Sequence, residues 1–287
     1  MAFFDLSIGE LGGKGMQRVL DAITNLDFSW TLDSVSEISF EVWDPDFAML
    51  NSNYFQVRRD VTVAEKQFEM TVIEVQQGEG NSPKIKIQAR TKEIQRMKRD
   101  KNPNAYGGGT ATDYARAVAA QYGLKFVGQS TGTQAVQAQA SNEGKADSVW
   151  DVLTKNASEA QFAVFESDGT LYFASEEWLL GKWANIRIDY PSLNPFEDFL
   201  LLEIPQCRTS EDDVRAAEIK FLIERTNAVN IRPGMTVDFN GIKNFSGKYL
   251  VTDVAYIYGD NTPVGVSVRT PVKPEPRAPS KPAEQQS

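Results

Sequence analysis

The stretch from Asp147 to Phe173 reads D-S-V-W-D-V-L-T-K-N-A-S-E-A-Q-F-A-V-F-E-S-D-G-T-L-Y-F and joins two kinds of apolar periodicity. In its first part, apolar residues recur at helical spacing behind Asp147, a residue type that caps helix N-termini well. These apolar residues are Val149, Trp150, Leu153 and Ala157. The first part therefore predicts an amphipathic helix capped by Asp147.

The second part of the stretch predicts a tight hairpin. Phe162 and Val164, and then Leu171 and Phe173, alternate with their neighbours as in strands. Between them, the sequence Ser167-Asp168-Gly169 suits a turn whose last position needs a positive φ. The whole stretch is thus expected to form a helix, a strand, a turn and a second strand.

Alternating apolar residues on both sides of this stretch predict two β-rich segments. Before it, we expect strands at Phe3 to Ile8, Phe28 to Leu32, Ile38 to Val42, Phe68 to Val72 and Ile85 to Ala89. After it, we expect strands at Leu200 to Ile204, Ala217 to Ile223, Val237 to Phe239, Tyr249 to Tyr256 with a shift before Val254, and Val264 to Val268. Because short strands with one apolar face leave unpaired edges, the first segment should close into a barrel or sandwich and the second into a small barrel.

The remaining segments carry helix and turn signals. Tyr114, Ala115, Val118, Ala119 and Tyr122 share one helix face, and Gly123 is a stop signal behind them. The run from Gln129 to Gly144 has little to bury, so it is expected to be a long surface excursion. In Arg232-Pro233-Gly234, Pro and Gly predict a type II turn before the next strand.

The composition excludes several classes of function. The chain has 287 residues and a mass of 32.0 kDa, with no His and one Cys, Cys207, expected near a strand end. Without His there is no Ser-His-Asp or Cys-His site and no His-ligated zinc, and one Cys forms no internal disulfide. A formal charge of −9 argues against sequence-specific duplex binding. No apolar run has the length of a membrane span, so no membrane insertion is expected.

Two glycine-rich motifs are weak candidates for anion sites. Gly9 to Gly15 lacks both the spacing and the hydroxyl of a phosphate loop, so a flexible loop is expected there. Tyr106 to Thr110 precedes a helix but carries no basic residue, which favours a hinge.

The charged motifs have equally plain interpretations. The basic run of Lys92, Arg96, Lys98, Arg99 and Lys101 predicts a solvated turn or helix face, or a contact with a neighbouring acidic subunit. Paired carboxylates are the remaining route to hydrolysis, either Glu176 with Glu177 or the group Glu211, Asp212 and Asp213. Adjacent acids on loops are typical of solvated turns, so no catalytic, cofactor-binding or metal-binding residue is assigned.

Three motifs in order resemble those of phage tail hub proteins, the group that contains the late control protein D family and the baseplate hub of T4-like contractile tails. The first is Leu26 to Asp33 followed by Ile38 to Val42; the second is Asp147 to Trp150, Ser158 to Ala160, Phe162, Gly169 and Leu171 to Phe173. The third is Arg232-Pro233-Gly234 with Val237, followed by Gly247, Tyr249, Val251 and Val254. Together they cover nearly the whole chain except its tail.

The resemblance implies an α+β, mainly β fold with two similar small β-barrels, an inserted α/β domain and a disordered or extended C-terminal tail. The expected boundaries are 1–90 for the first barrel, 91–183 for the insertion, 184–270 for the second barrel and 271–287 for the Pro-rich tail. The seventeen-residue tail contains five of the 13 Pro of the chain, which favours an extended strap.

The resemblance also implies a non-enzymatic baseplate hub subunit, without cofactors, in the phage virion after synthesis in the host cytoplasm. Three copies would form a pseudo-sixfold ring that joins a sixfold tail tube to a threefold spike and surrounds the DNA channel. Expected partners are the tail tube protein or distal tube-initiator ring, the central spike, neighbouring baseplate proteins and the tape measure. Two alternatives stay open: a carboxylate-based cell-wall hydrolase of the tail, and a receptor-binding tail module.

Overall fold

The computed structural model describes residues 6–32, 35–63, 66–77, 83–103, 109–132, 147–182, 185–190, 201–209, 217–224, 231–257 and 263–272. The first segment contains strands β1 (Leu6–Ile8), β2 (Ile23–Thr31), β3 (Glu37–Trp43), β4 (Asp60–Val63), β5 (Lys66–Gln77) and β6 (Pro83–Thr91). Helices α1 (Gly13–Ala22) and α2 (Ala48–Asn51) lie between them.

The middle segment contains helices α3 (Lys92–Arg99), α4 (Ala111–Gln121), α5 (Val149–Ala160) and α6 (Glu176–Leu179), with strands β7 (Lys125–Gly128), β8 (Ala163–Ser167) and β9 (Thr170–Ala174). The last segment contains β10 (Asn185–Asp189), β11 (Gln206–Thr209), β12 (Ala217–Ile223), β13 (Thr236–Asn240), β14 (Gly247–Ile257) and β15 (Val264–Arg269).

The two β-rich segments form one twelve-stranded sheet in the order β1-β4-β5-β6-β3-β2-β14-β15-β12-β11, with β13 on β14 and β10 on β13. Side chains alternate between core and solvent along these strands, for example in β3, where Ile38, Phe40 and Val42 are fully buried. The buried faces of both segments belong to one hydrophobic cluster. The fold is therefore α+β and mainly β, as predicted. No pairing among the described residues closes either segment into a barrel, so barrel closure stays a prediction.

The two β-rich segments repeat the same strand order. In the first, successive neighbours are β2, β3, β6, β5, β4 and β1; in the second they are β11, β12, β15, β14, β13 and β10. All of these pairs are antiparallel except β10 with β13, which is parallel where β1 with β4 is antiparallel. We call these two sets of strands the first and second repeats.

The middle segment packs a three-stranded sheet, β7-β9-β8, against helices. Tyr114, Ala115, Val118 and Ala119 of α4 are buried with Val149 and other residues of α5, in a hydrophobic cluster of their own. The two-residue turn between β8 and β9 has positive φ at both Asp168 (47°) and Gly169 (71°), which matches the twist of a tight hairpin.

Several sequence predictions need correction. Ser148, rather than Asp147, caps α5: its hydroxyl accepts from the Asp151 N–H, and the Asp151 carboxylate accepts from the Ser148 N–H in return. Part of the loop predicted at Gly9 to Gly15 is helical, because α1 begins at Gly13.

The strand predicted at Leu200 to Ile204 is also wrong in its described part. Leu202 and Ile204 lie outside any strand with 44% and 71% of their surfaces exposed, and β11 begins only at Gln206. Most of the surface excursion predicted from Gln129 to Gly144 and most of the Pro-rich tail lie outside the described residues, as does the acidic group Glu211 to Asp213.

Candidate interaction surfaces

A matching β-bulge is the clearest local sign of the repeat. In β5, Thr71 is the extra residue between Met70 and Val72, and in β14, Thr252 is the extra residue between Val251 and Asp253. The Thr71 hydroxyl donates to the Gln88 carbonyl at 3.2 Å, and the Thr252 hydroxyl donates to the Ser267 carbonyl at 3.1 Å. Each acceptor belongs to the residue that pairs with the position just after the bulge. The same side chain thus satisfies the same carbonyl in both repeats.

A matching tight turn precedes β4 in the first repeat and its equivalent, β13, in the second. Arg58 and Gly234 have positive φ values of 73° and 86°. In the first repeat the Arg58 N–H donates to the carbonyl of Met70, and in the second the Gly234 N–H donates to the carbonyl of Val251, both at 2.8 Å. The predicted type II turn at Arg232 to Met235 is therefore present, with its N–H···O bond at 3.2 Å, and the first repeat contains the same turn without Pro or Gly.

The joint between the repeats is an antiparallel ladder from β2 to β14. Trp30 pairs with Val254 and Phe28 with Tyr256, and all four side chains are buried. The rings of Phe28 and Trp30 lie 4.6 Å apart, and those of Trp30 and Tyr256 lie 5.6 Å apart, both in edge-on contact. Such aromatic pairs stabilise a joint beyond their burial alone, by about 0.5–1.5 kcal/mol each.

Two cations connect this joint to the hairpin of the middle segment. The Arg232 guanidinium lies 3.8 Å from the Trp30 ring centre and also bonds Asp168 at 2.6 Å. Lys66 lies 5.5 Å from the same ring and pairs with Glu166 at 3.2 Å, where both side chains are almost fully buried. The middle segment is thus held against Trp30 by one residue from each repeat.

Apolar contacts complete this docking. Leu32, directly after β2, and Leu250 of β14 share a buried cluster with Phe165, Tyr172 and Leu179 of the middle segment. The cluster contains residues from both repeats, so the middle segment fixes their relative position.

Two cations of the basic run after β6 are paired with carboxylates of the first repeat. Most of the run lies in α3, from which Lys92 bonds Asp60 at 2.6 Å and Arg99 makes a two-pronged pair with Glu69. The run is therefore largely helical, but Lys92 and Arg99 are paired within the molecule and are not simply solvated. Arg99 thus neutralises the buried carboxylate of Glu69 on β5.

The predicted acidic pair at the start of α6 is divided between two environments. Glu176 is buried, with 8% of its surface exposed, and its carboxylate bonds Arg269 and the Val272 N–H, whereas Glu177 is exposed. A carboxylate held in this way at the end of β15 connects the middle segment to the second repeat. The two acids do not face each other across a cleft.

The other candidate residues are not brought together. Cys207 lies in β11 with its thiol partly buried, and burial raises the pKa of that thiol. Most of Tyr106 to Thr110 lies outside the described residues; Thr110 is described and caps α4. Among the described residues, no group of three or more Cys, Asp or Glu side chains has the arrangement of a metal site.

One surface groove, of about 560 Å³, lies between α1 and the end of β3. Its wall includes Trp43, with half of its surface exposed, together with Lys14 and Arg18. Asp44, also in the wall, is committed to the backbone N–H groups of Met49 and Leu50. The groove therefore presents an exposed indole ring beside two cations.

No helix in the described part of the chain is long and apolar enough to cross a membrane.

Comparison with solved structures identifies the fold. The 43 kDa tail protein of prophage MuSo2 from Shewanella oneidensis matches with a TM-score of 0.62 at 10% identity, over 92% of this chain and 97% of that chain. A tail protein from Neisseria meningitidis MC58 matches with a TM-score of 0.57 at 10% identity, over 94% and 96% of the two chains.

An Escherichia coli component of the type VI secretion system, described as similar to T4 bacteriophage tail proteins gp27 and gp5, has a TM-score of 0.55 at 10% identity over 94% of this chain and 77% of its own. No family profile and no curated protein sequence matches the chain. The likeness is therefore one of structure, and it confirms at the level of fold the resemblance that the sequence motifs indicated. The chain has the fold of phage tail proteins.

Proposed function

We propose that this chain is a structural baseplate hub subunit of a phage tail or a phage-derived tail. Three copies form a ring in which each copy supplies two β repeats, so that six similar modules surround one channel. The observation that carries the proposal is the repeated strand order, with its equivalent bulges at Thr71 and Thr252. Such a ring offers a threefold surface to a spike and a near-sixfold surface to a tail tube.

The proposed domain division follows the repeats, with modules at 1–90 and 184–270 and an insertion at 91–183. The insertion has its own hydrophobic cluster, in keeping with an independent module. Its contacts with Arg232, Leu32 and Leu250 hold the two repeats at a fixed angle. We propose that the remaining Pro-rich segment, 271–287, extends toward the spike or a neighbouring baseplate protein.

The proposed partners are those of a hub in the virion: the tube protein or tube-initiator ring, the spike, the tape measure and adjacent baseplate proteins. DNA would pass through the ring without specific binding. The formal charge of −9 supports this passage, since a surface of the same sign as the phosphates discourages adhesion.

Light scattering after size-exclusion chromatography tests the proposal on the full chain, alone and with the purified tail tube and spike proteins. We expect three copies of the 32.0 kDa chain per particle, either in the chain alone or, after the mass of the partners is subtracted, in the complexes. A variant that ends at Val272 should trimerise equally well but bind the spike less tightly, which separates ring formation from the role of the tail. A monomer in every mixture would overturn the proposal.

A carboxylate-based cell-wall hydrolase is the second candidate, and Glu93 is the observation in its favour. Burial raises the pKa of this carboxyl group, and the neighbouring charge of Glu166 adds to the shift. A raised pKa is what a general acid needs. A zymogram on purified bacterial cell wall distinguishes the two: clearing by the unaltered chain that is lost in Glu93→Gln would support the hydrolase. We expect no clearing from either protein.

A further inference from the structure

The strand ladders that lead outward from the two bulges show which residue of one repeat is structurally equivalent to which residue of the other. The starting points are Thr71 and Thr252, which fill the same bulge. The ladders then lead through two more strands to β2 in the first repeat and β11 in the second. The equivalent positions along this route are Met70 and Val251, Ala89 and Val268, Ile38 and Ile219, and Phe28 and Cys207.

In the second repeat, the part of β14 after the bulge is covered by a strand from the first repeat. That strand is β2, and its ladder includes Val254 with Trp30, Ala255 with Ser29, and Tyr256 with Phe28. As a result, only 5% of the surface of Tyr256 is exposed. The burial of this position therefore depends on the neighbouring repeat.

In the first repeat, no described strand covers the equivalent edge. From Val72 to Gln76, β5 pairs with β6 on one side and with no described strand on the other. Val75, the equivalent of Tyr256, has 51% of its surface exposed, and Val72 has 39%. An apolar strand edge of this kind is a template for pairing with another chain.

The opposite end of the sheet has the complementary edge. Strand β11 is the equivalent of β2, and in the described part of the chain it pairs with β12 alone. Cys207 packs against the core, as its equivalent Phe28 does. Arg208, the next residue, is exposed to solvent. Among the described strands, one edge equivalent to that of β14 and one equivalent to that of β2 thus lack a neighbour.

We propose that β5 of one copy pairs antiparallel with β11 of the next copy, in the register of the internal joint between β14 and β2. This rests on the proposed ring and specifies how its copies are joined. The transferred register places Ile73 opposite Thr209, Glu74 opposite Arg208, Val75 opposite Cys207 and Gln76 opposite Gln206.

Charge supports this register. Glu74 and Arg208 are exposed, and neither forms an ion pair with another described residue. In the internal joint, the Leu32 N–H donates to the Thr252 carbonyl at 2.8 Å, so the alternating pattern puts Ser29 and Ala255 at a position without exchanged hydrogen bonds. Side chains are closest at such positions. The equivalent pair between copies is Glu74 with Arg208, where opposite charges attract.

The contact is head-to-tail, because its two edges lie on different repeats. A contact of this type closes into a ring only when the rotation per copy divides a full turn. With two similar modules per copy, three copies complete six positions. Covalent linkage of every joint should therefore yield a trimer and no larger species.

Disulfide trapping tests the register. In a Cys207→Ser background, Glu74→Cys and Arg208→Cys are combined in one full-length chain and oxidised by oxygen with a copper catalyst. We expect covalent dimer and trimer on a non-reducing gel, reversed by reductant. When the two substitutions are placed on separate chains, each chain alone should give little product and their mixture should give the dimer.

Glu74→Cys with Gln206→Cys is the matched control. Gln206 is exposed like Arg208 and lies on the same face of β11, two residues before it. Diagonal cross-strand neighbours are about 7–8 Å apart, too far for an unstrained disulfide. The control should therefore form at least about tenfold less product. Equal yields from the two pairs would overturn the register.

A charge exchange gives an independent readout without cysteine. Glu74→Arg or Arg208→Glu alone should weaken association of the copies, and the double exchange should restore it. A ring seen by electron microscopy that gives no 74–208 disulfide would overturn this inference and leave the proposed function in place. Chains that remain monomeric with every tail partner would overturn both.

Discussion

The Arg232 guanidinium lies over the Trp30 ring, 3.8 Å from the ring centre, and also bonds Asp168 at 2.6 Å. Trp30 belongs to the first repeat, Arg232 to the second and Asp168 to the hairpin between them in sequence. One side chain thus contacts all three parts of the chain. Trp30 lies in the first and Arg232 in the third of the three motifs that resemble those of tail hub proteins, so the contact joins the two motifs that are farthest apart in sequence.

Removing this contact should loosen the connection between the parts. We expect Arg232→Ala to lower the free energy of unfolding by about 1–2 kcal/mol, because it removes a partly desolvated cation–π contact as well as the ion pair. Arg232→Lys should retain less than half of this stabilisation, since an ammonium cannot stack and bond in two directions as a guanidinium does. Urea denaturation followed by Trp fluorescence measures both, and an unchanged midpoint in Arg232→Ala would contradict the assigned role.

The two bulges should respond alike to the loss of their hydroxyls. Thr71→Val and Thr252→Val preserve the side-chain shape but leave the Gln88 or Ser267 carbonyl without its hydrogen bond. Each should lower the unfolding free energy by about 1 kcal/mol. The matched Thr→Ser variants retain the hydroxyl and should lose less. A large effect at one site and none at the other would show that the bulges are not equivalent.

The two turns should respond in opposite directions to substitution. Arg58 holds a φ of 73° with a β-carbon, whereas Gly234 holds 86° without one. Arg58→Gly should be neutral or stabilising by up to about 1 kcal/mol, because glycine adopts this conformation without steric cost. Gly234→Ala should be destabilising by about 1 kcal/mol for the same reason. Thermal unfolding of both variants checks the prediction, and a stabilised Gly234→Ala would refute the left-handed turn.

The cap of α5 should make the free energy of unfolding depend on pH in the acid range. Burial opposes the shift, but the hydrogen bonds from Ser148, together with the positive charges of Lys101 and Lys98, outweigh it and hold the pKa of Asp151 below its ordinary value of 3.8. A carboxyl group with a depressed folded pKa contributes stability that is present above its unfolded pKa and is lost as pH falls through the folded value. Ser148→Ala should therefore cost about 1 kcal/mol at neutral pH and progressively less below pH 3.8.

Asp147→Ala is the control for this prediction, since Asp147 precedes the cap and should cost little. Unfolding measured from pH 7 down to acid separates the two variants. If Asp147→Ala were the more damaging substitution, the cap would be at the residue that the sequence pattern favoured.

The strands that the sequence predicted well are those whose alternation is complete. Ile85, Ile87 and Ala89 are all fully buried, and the shift expected before Val254 is the bulge at Thr252. The bulge at Thr71 was missed because Val72 keeps the apolar alternation, although the bulge leaves it 39% exposed. An apolar residue on a free edge carries the same sequence signal as one in a core.

The residues of the proposed joint gave even less signal. Strand β11 reads Gln-Cys-Arg-Thr and shows no apolar period, so only its pairing with β12 identifies it. Arg58 occupies a left-handed position that sequence patterns assign to Gly or Asn. Helix α1 was hidden by the glycines at its start. These positions become interpretable only when one repeat is compared with the other.

Electron microscopy of the full-length chain, purified alone and in complex with its tube and spike proteins, tests the central claim most directly. We expect top views of a closed ring with a central channel and six similar lobes, in which three copies alternate first and second repeats. Particles without a central channel, or rings whose lobes count one per copy, would contradict it.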